Sequence, residues 1–120
     1  MQCSELAQIL KALAEPTRLR LICLLSRYEQ ICVCELTEIM EMPQYHVSRH
    51  LSVLRNLGLV VDERAGARMN YRLAQGKELN TALVEVLGNT VDSCPRAVRD
   101  VERADKVLGS QSRGAGRAET

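Results

Sequence analysis

Gln44–Val60, QYHVSRHLSVLRNLGLV, decides the fold. Val47, Leu51 and Leu54 recur at i, i+4 and i+7, the spacing of one helical face. Gly58 stands where a C′ glycine ends a helix. The spacing therefore predicts a helix from Gln44 to Leu57. Opposite its apolar face lie Tyr45, Ser48, Arg49 and Ser52 at i, i+3, i+4 and i+7. That polar stripe is short-chained and carries an arginine, unlike the Glu/Lys-rich face of an ordinary solvated helix.

Working outward, Leu59–Ala74, LVVDERAGARMNYRLA, alternates apolar and polar residues on both sides of Ala65-Gly66-Ala67. This is the pattern of a two-stranded β-hairpin whose tip needs a glycine. Upstream, MEMP (residues 40–43) breaks a short helix over Cys34–Met40. "EPTRLRLICLLSRY" starts a helix near Pro16, a residue tolerated in a first helical turn. Residues 4–14, with Leu6, Ile9, Leu10 and Leu13 in helical register, form another, for which Ser4 is the expected cap. From Lys77 the helical spacing returns through Leu79, Leu83, Val86 and Leu87, and residues after Pro95 allow a further helix.

The order is helix, helix, helix-turn-helix, hairpin, helix. It predicts a mainly α (α+β) winged helix-turn-helix over residues 1–109 that binds DNA and dimerises. The flanking helices at 4–14 and 77–92 are more apolar than so small a monomer needs, and a symmetric dimer would match paired half-sites. Residues 110–120, GSQSRGAGRAET less its first glycine, are Gly, Ser and charge, the composition of a disordered tail.

Composition narrows the function. The formal net charge is +1, but residues 44–72 hold five Arg against Asp62 and Glu63, a local basic footprint of the sign that phosphate contact requires. Three Tyr with no Trp or Phe argue against single-stranded nucleic acid, which is bound on aromatic platforms. On the reading helix, Arg49 can take a guanine edge with two donors and Gln44 can pair with adenine; Ser48 is permissive. Tyr45, His46, His50 and Ser52 complete the expected contact set. Arg64 and Arg68 at the hairpin tip suit phosphate or the minor groove, with Asn70 and Arg72 as weaker candidates. No run of eighteen apolar residues and no charged-then-apolar leader occurs, so a cytoplasmic protein without membrane contact is expected.

The five Cys (3, 23, 32, 34 and 94) are odd in number and irregularly spaced, which reads as reduced thiols and not a disulfide framework. Cys23, inside LRLICLLS, reads as a core residue. Cys32 and Cys34 bracket a helix start, where backbone N–H groups favour thiolate. A C-x-C pair chelates a soft ion but cannot alone complete tetrahedral zinc, so trivalent arsenic or antimony fits better. Two packing cysteines are the alternative. A redox switch is disfavoured because a C-x-C disulfide closes a strained ring. A thiol enzyme or metal carrier is a third alternative; the sequence does not predictably place a His or acid beside either sulfur as an activating base, and a carrier needs no basic wing.

ICVCEL, QYHVSRHLSVLRNLGLV and ARMNYRL, in this order, resemble the ArsR/SmtB family of metalloregulatory repressors, in particular its arsenical-responsive branch, over residues 5–90. The resemblance implies a homodimeric repressor, not an enzyme, with no obligatory cofactor, which leaves operator DNA when trivalent arsenic or antimony, inorganic or methylated, binds. It carries the sensor role onto Cys32 and Cys34 and recognition onto Gln44, Ser48, Arg49 and His50. Cadmium, lead or zinc sensing is the nearest rival within the family. One departure stands out: the arsenical motif has a third Cys where this chain has Thr37. Cys94 or Cys3 is then the candidate third ligand, from the same or the partner subunit. A singly methylated arsenical needs only two thiolates, and a cellular thiol could also fill the third position.

Overall fold

In the computed structural model, which describes residues 2–75, 78–90 and 94–109, six helices surround one small sheet. The helices are α1 (Cys3–Leu13), α2 (Pro16–Arg27), α3 (Val33–Met40), α4 (Gln44–Asn56), α5 (Glu78–Thr90) and α6 (Pro95–Leu108). The strands are β1 (Ile31–Cys32), β2 (Val60–Ala65) and β3 (Arg68–Leu73), in the order β1-β3-β2, antiparallel throughout. The architecture is a winged helix-turn-helix. The tail expected at 110–120 lies outside the described residues.

Local chemistry explains most boundaries. α2 opens at Pro16, and the Glu15 carboxylate accepts the Arg18 N–H at 3.0 Å as its cap. α4 ends in a Schellman motif: Gly58 N–H donates to Arg55 at 2.9 Å and Leu59 N–H to Leu54 at 3.0 Å, with Gly58 at φ +79°. Gly66 at φ +64° makes the hairpin tip. α1 starts earlier than expected. Its cap position is Gln2, and Ser4 lies inside the helix, so the expected Ser4 cap is not formed.

α3 ends at Glu41, a non-glycine at φ +57°, a backbone state that L-residues adopt at a cost. Arg103 of α6 supports this end, donating to the carbonyls of Ile39 (3.0 Å) and Glu38 (2.9 Å) and pairing with the Glu41 carboxylate at 3.4 Å. α6 is also tied to α2. Arg20 grips Asp100 with two bonds of 2.8 and 2.9 Å, and Tyr28 donates to Asp105. Burial and that Asp105 contact push the Tyr28 phenol up to about 12.

The core is aliphatic, as a chain without Phe or Trp requires. Leu21, Ile22, Leu24 and Leu25 of α2 pack with Leu36 and Ile39 of α3 and Val47, Leu51 and Leu54 of α4, all essentially inaccessible to solvent. The helix-turn-helix pair is thus fastened to one central helix.

Sequence patterning misses β1. Ile31 faces Tyr71 and Cys32 faces Asn70, making the expected two-stranded wing a three-stranded sheet. Two residues give no periodicity to read. The consequence is functional: the residue before α3 is hydrogen-bonded into the wing.

Candidate metalloid site and nucleic-acid interface

Cys32 is the N-cap of α3, so its sulfur faces the free N–H groups of the first turn. Cys34 follows within that turn, and the two Sγ atoms stand 2.8 Å apart. Glu35 turns back and accepts the Cys32 N–H at 3.0 Å through Oε1. This is a capping box in which a thiol replaces the usual hydroxyl. The other carboxylate oxygen, Oε2, pairs with Arg68 Nη2 of β3 at 3.2 Å.

The two thiols divide their labour. Burial pushes Cys32 up, but the Cys34 thiol and N–H, the Arg68 charge and the Glu35 N–H outweigh it and hold Cys32 below its ordinary value. Its hydrogen bond to Cys32, together with burial and the Cys32 charge, pushes Cys34 up. Of the two, the buried Cys32 therefore gives up its proton more readily than the exposed Cys34. Cys34 is the solvent-facing sulfur of the pair and Cys32 the enclosed one.

Cys3 is exposed at the start of α1. Cys94 precedes α6 and lines a mostly apolar cavity of about 370 Å³ together with Cys23, Leu19 and Leu87. Among the described residues no group of three or more Cys, His, Asp or Glu is placed to hold a metal. Within one chain, then, neither Cys3 nor Cys94 joins the pair. The Thr37 hydroxyl, where the arsenical motif has its third Cys, donates at 2.8 Å into the helix backbone.

The reading helix presents Gln44, Tyr45 and Arg49 to solvent, with Tyr45 74% accessible; His46, Ser48 and Ser52 are half-buried beside them. Arg49 Nη2 lies 3.4 Å from His46 Nδ1. His50 departs from its expected role. It is buried, and its Nδ1 accepts Arg18 Nε–H at 3.1 Å, so the ring ties α4 to α2 instead of facing outward. One residue after Arg49 on a 100° helical step, it falls on the inner side of the polar stripe. Arg64 and Arg68 are exposed on the wing, but Arg68 is engaged with Glu35.

Burial, then the Arg18 charge and the neighbouring His46 and Arg49, hold His50 below its ordinary value of 6.5, against the pull of Glu15. Unfolded chains therefore bind this proton more readily than folded ones. The stability it supplies is complete above about pH 6.5 and is lost as pH falls towards the lowered folded value. Urea titrations across this range are expected to show a slope that His50→Gln reduces. An unchanged slope would place the titration elsewhere.

Sequence patterning also misses Glu35, Arg18 and the Arg55–Asp62 pair (2.9 Å) that joins the end of α4 to β2. Of these only Glu35 had a signal, the capping-box spacing Cys32-x-x-Glu35.

A helix-turn-helix whose second helix bears an outward arginine, followed by a wing carrying exposed arginines, defines the class of winged-helix DNA-binding regulators. The family model described as bacterial regulatory protein, arsR family, matches residues 15–61. The arsenic resistance transcriptional regulator ArsR2 of Pseudomonas putida is 35% identical over 85 residues, 71% of this chain and 72% of that protein. The same organism's ArsR1 is 45% identical over 65 residues, 54% of this chain and 51% of that one. HlyU from Vibrio cholerae superposes with a TM-score of 0.66 at 30% identity, covering 74% of this chain and 96% of HlyU. The chain belongs to the arsR family of bacterial regulatory proteins. It spans about half the length of ArsR1. No described helix is long and apolar enough to cross a membrane.

Proposed function

We propose that this protein is a homodimeric, cytoplasmic repressor that binds double-stranded operator DNA and releases it when a trivalent arsenic or antimony species is captured by Cys32 and Cys34. The single observation that carries this reading is the 2.8 Å sulfur pair at the head of α3, one short helix before the reading helix and one strand from the wing. The two relatives' names, both arsenic resistance regulators, support it. Exposed Leu6 and Leu10 of α1 and Val84 and Val86 of α5 supply the apolar surface for a twin.

Sulfurs sharing one ion at about 2.3 Å with near-tetrahedral angles stand roughly 3.8 Å apart, and a pyramidal centre holds them only slightly closer. Capture would therefore let the ion set the spacing of the pair and would draw the Cys32 sulfur off the helix N-terminus. The first turn of α3 shifts, and with it the reading helix across the Pro43 turn. Operator affinity falls by a coupling free energy of about 1–3 kcal/mol.

Two cysteine thiols satisfy a singly methylated arsenite outright, each As–S bond replacing an As–OH bond whose oxygen leaves as water with the thiol proton. Inorganic arsenite then takes its third sulfur from the partner's chain or a cellular thiol. Four-coordinate cadmium, lead or zinc would need two donors more. The test is operator release, followed by fluorescence anisotropy, titrated with arsenite, methylated arsenite, antimonite, cadmium and zinc. Release by the arsenicals and antimonite at concentrations well below those of zinc or cadmium is expected. Release by zinc alone would overturn the assignment.

A further inference from the structure

We infer that Arg68 couples the wing to the thiol pair: by holding Glu35 it fastens β3 to the first turn of α3, so that ligand capture loosens the wing as well as the reading helix. The inference rests on the reading of Cys32 and Cys34 as the sensor. It deepens that reading by naming a second route to the DNA.

Three contacts form the chain of causes. Arg68 Nη2 meets Glu35 Oε2 at 3.2 Å, Glu35 Oε1 accepts the Cys32 N–H at 3.0 Å, and the Cys32 sulfur meets Cys34 at 2.8 Å. The sheet register brings these groups together. Cys32 stands opposite Asn70, and Arg68 is two residues along the same strand, hence on the same face. Arg68 also faces Ala65 at the hairpin tip, so whatever holds its guanidinium holds the tip.

The two ends of the pair differ in burial. The Glu35 side chain is 9% accessible and the Arg68 side chain 49%. An enclosed carboxylate is costly to leave without its cation, whereas a half-exposed guanidinium loses little on release. Any turn of the Cys32 peptide that accompanies sulfur capture redirects the N–H that Glu35 holds, and so moves the carboxylate away from Arg68. The freed arginine leaves the wing attached through the two-residue β1–β3 pairing at Ile31 and Cys32 and through the Arg55–Asp62 pair. The alternative is an arginine that only meets a DNA phosphate.

The test uses the full chain with Arg68→Gln, Glu35→Gln, the double variant and Arg68→Lys. Operator affinity is measured with and without arsenite, and amide exchange of residues 60–73 is followed without DNA. In the wild type arsenite is expected to raise wing exchange. In either Gln variant exchange is already raised without arsenite, and the arsenite-induced loss of affinity shrinks by about fivefold or more. The double variant goes no further, because both changes break one link. Arg68→Lys, which keeps the cation, restores part of the response. Arg68 as a phosphate contact predicts otherwise: Arg68→Gln would weaken binding equally with and without arsenite, and Glu35→Gln would respond as wild type. That result overturns the inference. A wild type insensitive to every arsenical and to antimonite would overturn the functional reading itself. Even then, unchanged wing exchange in ligand-free Arg68→Gln would separately refute the fastening.

Discussion

Cys34→Ser protein is expected to remain on operator DNA at arsenite concentrations that release the wild type. The hydroxyl is a hard, protonated donor, so a captured ion would keep only the Cys32 thiolate. The wild type should lose operator affinity by about 5–150-fold, the range of typical coupling energies; the variant should lose none. Basal DNA binding should survive, because Cys34 is exposed and neither caps α3 nor faces the polar stripe of α4. Cys32→Ser makes a second, independent check. Serine is a good N-cap, so it preserves the helix start while removing the thiolate. Anisotropy titrations of both variants decide the matter, and wild-type release from either would exclude the pair as sensor.

The second large effect lies on the DNA side. Arg49 is the exposed cation at the centre of the α4 polar stripe. A bidentate guanine contact supplies about 1–3 kcal/mol of discrimination. A dimer presents it twice, so Arg49→Ala should cost roughly 2–6 kcal/mol, about 30-fold to 10⁴-fold in affinity, concentrated at one base position in each half-site. Arg64→Ala, on the wing tip, should instead weaken all sequences alike and flatten the salt dependence. Footprints on operators substituted base by base check the distinction. A uniform loss for Arg49→Ala would make it a phosphate contact.

The two variants probe ends of one structure that were unequally legible beforehand. The α4 helix and its Gly58 stop were readable because burial imposes a period, and Val47, Leu51 and Leu54 obey it to the last residue. The hairpin was readable for the same reason with period two. The thiol pair was visible as a motif, but its partners were not. Arg68 reaches Glu35 from 33 positions downstream, through a two-residue strand that carries no pattern. His50 shows the converse failure. Chemically it resembles its neighbour His46, and only the packing of α2 against α4, with Arg18 as donor, decides that one ring is buried and the other is not. Long-range polar pairing has no local signature, and here it joins the first turn of α3 to the wing.

On the proposed mechanism, occupancy of the thiol pair and occupancy of the DNA face oppose each other through the protein. Linkage makes this a measurable identity: the factor by which arsenite weakens operator binding must equal the factor by which operator weakens arsenite binding. Arsenite affinity of the free dimer and of the operator complex, measured in one buffer, should differ by the factor seen in release. Equal affinity for both forms would contradict the claim, whatever the release curves show.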